Sequence, residues 1–118
     1  MPLTAADFGR QLTALVPEAE ATVEEHLHDN DGELLLHLLT ADLRRLAIAW
    51  LAEGHVERMQ RLLTCVETGL LHGDEAVRNA MAVSFVEDTG WWLPEMRAFI
   101  GAWPAGLARE LNRQRSGR

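Results

Sequence analysis

The stretch from Glu33 to Glu53 constrains the fold of this chain more than any other. Its apolar residues occupy more than one face of a helix: Leu34, Leu35, Leu36, Leu38, Leu39, Leu43, Leu46, Ile48, Trp50 and Leu51. A helix that is apolar on several faces has to contact neighbours on several sides. We therefore expect a central helix over 33–53, capped at its start by Asp31 and ended by Gly54.

Helix signals also mark the residues before this segment. Thr4 and Asp7 resemble a capping box that opens a first helix over 5–15. Pro17 suits the first position of a second helix, over 18–28, because its fixed φ fits a helix start and its missing N–H is not needed there. The next four residues, Asp-Asn-Asp-Gly, have the composition of a turn.

The second half of the chain continues in the same way. A stripe of apolar residues predicts a fourth helix over 55–71, ending at Gly73. Asp74 can cap a fifth helix over 75–88, which is apolar nearly all round and ends at Gly90. Two prolines, Pro94 and Pro104, can open a sixth and a seventh helix.

Strand signals are nearly missing, since no run alternates Val, Ile or Thr with polar residues. The sequence therefore predicts an all-α fold of six or seven short helices. Either an irregular bundle or an armadillo-like or HEAT-like layered stack is compatible with it. At 118 residues, we expect a single domain over 1–118, with 113–118 as a frayed, Arg-rich tail.

The composition of the chain indicates the cellular compartment in which it is found. No apolar run reaches the ~20 residues that span a bilayer, and the N-terminus lacks the pattern of a signal peptide. A lone cysteine, Cys65, has no internal partner for a disulfide. We expect a cytoplasmic protein that does not bind membranes.

Charge is concentrated in one block. Seven acidic residues and no Lys or Arg lie between positions 18 and 33: Glu18, Glu20, Glu24, Glu25, Asp29, Asp31 and Glu33. The block carries the charge of −7 that is also the net charge of the whole chain. Such a block either solvates a surface or binds a cationic partner. We predict a partner-binding face made of Glu20, Glu24, Glu25, Asp29, Asp31 and Glu33.

Trp91 and Trp92 are the second candidate for a binding surface. They adjoin Leu93 and Pro94 at a helix junction, where neighbouring side chains face different ways. An exposed Trp is a common anchor of protein interfaces. The alternative is that both rings plug the end of the helical fold together with Trp103.

The segment from His26 to His37 combines imidazoles and carboxylates, which are ligands for zinc, nickel or manganese. His26 and His28 are two residues apart, so on a helix they point to different sides. An EF-hand loop starting at Asp29 would place Leu34 where glycine is required. We therefore assign no metal site and interpret the segment as a solvated helix end and turn.

Signatures of catalysis are missing as well. Ser84 lies within an apolar helix and not on a glycine-flanked turn, and no glycine-rich phosphate loop is present. We assign no catalytic residue and no cofactor, and expect no enzyme. A negative chain with its basic cluster confined to the C-terminal end also argues against nucleic acid as a partner.

Two segments resemble a small, largely uncharacterised bacterial family of all-helical proteins. One is Asp74-Glu75-Ala-Val77-Arg78-Asn79 followed by Val83-Ser84-Phe85-Val86-Glu87, and the other is Gly32-Glu33-Leu34-Leu35-Leu36-His37 with Asp42 and Arg45. Together they cover about residues 25–90. Members of that family resemble immunity proteins of polymorphic toxin systems. The resemblance implies a protein that binds and silences a toxin domain.

The resemblance and the charge block lead to one hypothesis: an immunity protein whose acidic face binds a toxin domain with a basic surface. Two alternatives stay open. One is a small regulatory or scaffolding adaptor, with a homodimer as one form of it, and the other is a metal-dependent enzyme that uses the His26–His37 segment.

Overall fold

Seven α-helices carry most of the chain in a computed structural model that describes residues 1–117. They are α1 (Ala5–Leu15), α2 (Glu20–Asp29), α3 (Leu36–Ala52), α4 (Val56–His72), α5 (Glu75–Ala80), α6 (Arg97–Gly101) and α7 (Ala105–Ser116). Short 3-10 turns lie at Pro17–Ala19, Glu87–Thr89 and Pro94–Met96. These residues form no strand, so the predicted all-α class is confirmed.

Helix α3 lies at the centre of the fold. It packs against α2, α4, α5 and the segment that follows α5. It buries Leu39, Thr40, Leu43, Ala47 and Trp50. These positions follow one side of the helix, and the partly buried Leu46, Ile48 and Leu51 pack against the core beside them. The contacts of α3 with four other segments confirm the prediction of a central helix.

The start of α3 differs from the prediction. Asp31 does not cap it: Asp31 and Gly32 both have left-handed backbone conformations, with φ of 55° and 79°, and α3 begins only at Leu36. The residue before it, Leu35, is extended and provides no side-chain cap. Its backbone N–H donates instead to Nε2 of His26, at 3.0 Å, so a tertiary contact replaces the local cap.

Several other helix ends follow their local signals. Thr4 accepts a hydrogen bond from the Asp7 amide while the Asp7 carboxylate accepts one from the Thr4 amide, as in a capping box. Asp74 accepts a hydrogen bond from the Val77 amide. Gly54 ends α3 in a left-handed conformation, which a glycine adopts without steric cost.

The predicted helix over 75–88 is present, but its second half is not α-helical. After α5 the chain widens into a π-helical segment, Met81–Val86, and then tightens into the turn at Glu87–Thr89. Arg44 of α3 satisfies carbonyls in this stretch: its Nε donates to the Ser84 oxygen at 3.2 Å, and its Nη1 donates to the Asp88 oxygen at 3.0 Å. Hydrogen bonds from a side chain of another helix thus satisfy carbonyls in a stretch where the backbone hydrogen-bond pattern is irregular.

Three aromatic rings close the core at the C-terminal end of the fold. Phe85, Phe99 and Trp103 are buried, with ring centroids 5.8 to 6.2 Å apart. They attach α6 and the start of α7 to the π segment. Such ring pairs add to the free energy gained by burial alone.

Helix α7 continues to Ser116. Residues 113–116, for which we expected a frayed tail, therefore lie within a helix, and Arg113 bonds to Glu110 one turn earlier. Arg118, the last residue of that expected tail, lies outside the described residues.

A helix that crosses a bilayer has to be both long and apolar, and none of the helices within residues 1–117 meets both conditions.

Candidate functional site

The predicted acidic face is exposed on α2 and on the turn that follows it. Its members, Glu20, Glu24, Glu25, Asp29, Asp31 and Glu33, are all solvent-exposed. Within residues 1–117, none of the six forms an ion pair. Helix α2 fully buries Val23 and His26 and packs Leu27 against the core, while most of its exposed residues are acidic. These six residues are called the acidic face below.

Glu18 belongs to the same sequence block but not to this free surface. Its two carboxylate oxygens accept hydrogen bonds from Arg61 of α4, at 3.0 and 2.8 Å. This bidentate contact lowers the pKa of Glu18 to about 2. Glu18 therefore anchors the start of the α2 region to α4, and its charge is compensated within the fold.

Like charges face each other along α2. Glu20 and Glu24 are four residues apart, and so are Glu25 and Asp29. On a helix such pairs are neighbours and each destabilises it by about 0.2–0.5 kcal/mol. Asp29 also lies at the C-terminal end, where the helix dipole disfavours a negative charge. The two like-charge pairs and Asp29 therefore oppose the stability of α2, whereas the dipole favours Glu20 in the first turn.

His26 holds this helix in place from the buried side. It is 3% exposed, and its Nε2 accepts the hydrogen bond from the Leu35 amide. The neutral ring consequently carries its proton on Nδ1, which lies 3.9 Å from Oδ2 of Asp42 on α3. Asn30 completes the turn by donating from Nδ2 to the His26 carbonyl oxygen at 2.7 Å. His26 thus joins α2, the following turn and α3.

An ion pair lies on the surface of α3. Nη2 of Arg45 lies 2.5 Å from Oδ1 of Asp42, three residues earlier on the helix. Other polar side chains meet across helices: Nδ1 of His37 lies 2.7 Å from Oγ of Ser84, and Nδ2 of Asn79 lies 3.5 Å from Nε2 of His37. These contacts connect α3 with α5 and the π segment.

The histidines of the possible metal segment are not brought together. His26 is buried, whereas His28, two residues later, is exposed. In the part of the chain that the structure describes, no three His, Cys, Asp or Glu side chains are close enough to hold one metal ion. The hydrogen bond at His26 Nε2 gives that nitrogen a structural role.

Trp91 and Trp92 occupy different environments. Trp91 is half-buried against the core, while Trp92 is 63% exposed. Their rings meet edge to face, with centroids 5.7 Å apart. We had expected unequal burial of the pair, and the structure shows it. Because Trp91 packs against the core, only part of its ring is available to a partner.

The two rings line an open groove of about 470 Å³, called the Trp–Arg groove below. Its lining is Trp91, Trp92, Arg97, Ile100, Gly101, Leu111 and Arg115. The guanidinium of Arg115 lies over the Trp91 ring, 4.3 Å from its centroid. Residues from α6, α7 and the preceding loop therefore meet at one site.

Sequence reasoning missed the two arginines of this groove. It assigned Arg115 to a solubilising tail, because positions 91 and 115 are far apart in the chain and share no local pattern. A helical spacing of four between Leu111 and Arg115 is the one signal that could have placed them on a common face of α7.

Comparisons with known proteins identify the family. A family model described as a domain of unknown function, DUF7674, matches residues 10–117. No curated protein and no solved structure matches the chain at a significant level. The match includes the acidic face, the π segment and the Trp–Arg groove, so all three lie within the family's domain. Since the model covers most of the sequence, the chain belongs to the DUF7674 family.

Proposed function

We propose that this protein is a non-enzymatic binding protein that captures a basic protein partner on its acidic face. The single observation that carries the proposal is that six exposed carboxylates, on α2 and the turn after it, form no ion pair within the described part of the chain. A surface of one sign steers an oppositely charged partner and raises the association rate by about 10–10³-fold at low salt.

The like-charge pairs on α2 support the same conclusion. Glu20 with Glu24, and Glu25 with Asp29, lower the stability of a helix that buries only two side chains. A requirement for solvation alone does not call for this arrangement, because mixed charges solvate a surface without the repulsion. A cationic partner would relieve the repulsion on binding.

We further propose that the partner is a toxin domain and that binding neutralises it. The resemblance of about residues 25–90 to a largely uncharacterised family whose members resemble immunity proteins supports this more specific role. Toxin domains that act on anionic substrates expose cationic clefts, which an acidic face can occupy. The buried free thiol of Cys65 suits a reducing cytoplasm, where we place the protein.

The test is co-expression of the full chain with the protein encoded beside its gene. Size-exclusion chromatography with light scattering measures the complex, and growth of the host measures neutralisation. We expect a stable complex, a growth defect from the neighbouring protein alone, and rescue by this chain. Affinity should fall as salt concentration rises.

Charge reversal identifies the face. The variant Glu24→Arg/Glu25→Arg should weaken the complex at least about tenfold, mainly through slower association. A matched variant, Glu53→Arg/Glu95→Arg, changes the net charge equally at two exposed carboxylates elsewhere and should bind normally. Thermal unfolding of both variants checks that the fold persists.

Different results would overturn the proposal in different ways. Equal affinities for the two variants would make the acidic face a solvated surface only. Binding without growth rescue would support a basic partner but contradict the proposal that binding neutralises it. A stable homodimer that does not bind the neighbouring protein would favour the alternative function, a regulatory or scaffolding adaptor.

A further inference from the structure

The Trp–Arg groove has the composition of a ligand site and lies outside the acidic face. Its volume of about 470 Å³ is within the range of small-molecule pockets, about 300–1,000 Å³. Apolar side chains of Ile100 and Leu111 line it together with two indoles and two guanidinium groups. In a chain of net charge −7, this is a local concentration of positive charge.

Both arginines of the groove are available to a ligand. Neither Arg97 nor Arg115 forms an ion pair with a carboxylate of residues 1–117. Glu110, the acidic residue of α7, accepts hydrogen bonds from Arg113 and Gln114 instead. The cationic groups of the groove therefore lack an internal counter-ion in the described structure.

Arg115 is also oriented by its contact with Trp91. The guanidinium carbon of Arg115 lies over the Trp91 ring, and the N–H groups of a guanidinium lie in its own plane, so the contact leaves donors available to a ligand. That geometry suits two parallel hydrogen bonds to a carboxylate or a phosphate. The stacking also reduces the side-chain freedom that binding would otherwise remove.

Trp92 supplies the other half of the site. It is 63% exposed and contacts Trp91 edge to face, so its ring is accessible to a flat group. Stacking on an exposed aromatic ring is favourable for any planar ring system. An anion that carries such a ring would contact Trp92 and the arginines together.

We propose that the Trp–Arg groove binds an organic anion that carries a carboxylate or phosphate and, elsewhere in the same molecule, a planar aromatic ring. The guanidinium groups donate hydrogen bonds to the anion, and Trp92 stacks on the ring. Ile100 and Leu111 form the apolar part of the groove. The ligand is either a nucleotide or the carboxylate end of a peptide with an aromatic residue. This site is independent of the acidic face and of the function proposed for it.

Two matched pairs of probes test the site on the full chain. Adenosine monophosphate is compared with adenosine, and N-acetylphenylalanine is compared with N-acetylphenylalanine amide. Binding is measured from the NMR shifts of the four indole Nε–H resonances. We expect the anionic member of at least one pair to bind about tenfold tighter than its neutral analogue, and to shift the Trp91 and Trp92 signals.

Variants locate the binding energy. Arg115→Gln should reduce the preference for the anionic probe, and Trp92→Leu should weaken the binding of the ring. Arg58→Gln is the matched control, since Arg58 also lies over an indole, that of Trp50 at 5.5 Å, but outside the groove. Thermal unfolding shows whether each variant is folded.

Each result decides the proposal. Preference for the nucleotide assigns a phosphate ligand, and preference for the amino-acid derivative assigns a peptide carboxylate. Equal binding of charged and neutral probes overturns the anion site. So does an Arg115→Gln variant that behaves like Arg58→Gln, or the lack of any shift at Trp92 for all four probes.

Discussion

Nδ1 of His37 lies 2.7 Å from Oγ of Ser84 and thereby connects helix α3 to the π segment. Ser84 is 6% exposed, whereas His37 is at the surface. A serine and a histidine in contact are two members of a hydrolase triad. Here the serine lies inside a π-helical segment with bonded amides at both ends: that of Met81 donates to carbonyls of α5, and that of Glu87 donates to the carbonyls of Ala82 and Val83. We interpret the contact as one that sets the position of the π segment.

The first prediction concerns this contact. His37→Ala and Ser84→Ala should each lower the free energy of unfolding, and the double variant should lose less than the sum. We expect a coupling energy of about 0.5–1.5 kcal/mol, the usual contribution of one hydrogen bond. Urea unfolding of the four proteins measures it. Strict additivity would show that the hydrogen bond contributes nothing to stability.

The second prediction concerns the link between α2 and α3. His26→Leu should lower the free energy of unfolding by about 1–3 kcal/mol, because it leaves the Leu35 amide without its acceptor. His28→Leu is the matched control: His28 is exposed on the same helix, and its substitution should change stability by less than about 0.5 kcal/mol. Urea unfolding compares the two, and equal effects would contradict a structural role for His26.

The third prediction concerns Gly73, where the chain passes from α4 to α5. A Cβ at this position would lie 2.4 Å from the Gly69 oxygen and 2.5 Å from Cγ1 of Val77. Gly73→Ala should therefore destabilise the protein by about 1–3 kcal/mol through overpacking. Differential scanning calorimetry measures the shift in Tm.

Gly101 provides the control for this change. A Cβ there meets no atom within 4 Å, and its helical backbone is open to any residue. Gly101→Ala should stabilise the protein by about 0.4–1 kcal/mol, because it restricts the unfolded chain. If both alanine variants shifted Tm in the same direction, the close approach at Gly73 would not matter.

The fourth prediction is a pH dependence that comes from Glu18. Its pKa is about 2 in the folded protein, against 4.5 for an unperturbed glutamate, because Arg61 donates to the ionised form. The pair therefore stabilises the fold fully above pH 4.5, and this contribution is lost as pH falls from 4.5 to 2. The unfolded chain takes up the proton first in this interval.

Glu18→Gln should flatten the pH dependence in that interval and reduce stability at neutral pH. Glu20→Gln is the matched control, since it removes an equal charge two residues away and leaves the contact with Arg61 intact. The urea midpoint, measured across the interval, compares the three proteins. Parallel curves for both variants would rule out the ion pair as the source.

The helix ends that sequence reasoning predicted well depend on contacts within a few residues. Thr4 and Asp74 cap helices with their own side chains, and Gly54 ends α3 through its backbone freedom. In each case the residue type and the spacing already contain the interaction.

The misses depend on contacts between distant residues. Asp31 has the residue type of a cap, but the Leu35 amide is taken by His26, nine residues earlier. The π segment is compensated by Arg44, 40 residues before Ser84. Arg115 meets Trp91 only because α7 returns to the loop before α6. Propensity and periodicity carry no information about contacts between residues so far apart in the sequence, so the Trp–Arg groove could not be predicted. The exposure of the acidic face could, because it follows from the local composition of α2.

The weak anchoring of α2 has a consequence for its dynamics. Its Val23 and His26 are buried, whereas α4 buries Met59, Leu62, Leu63, Cys65, Val66 and Gly69. The free energy of opening α2 alone should therefore be well below that of global unfolding, and its amides should exchange with solvent through partial opening. The surface that we assign to partner binding is thus carried by a readily opened helix. A bound partner would then act as a second core for α2, and the slowing of its amide exchange would report the complex.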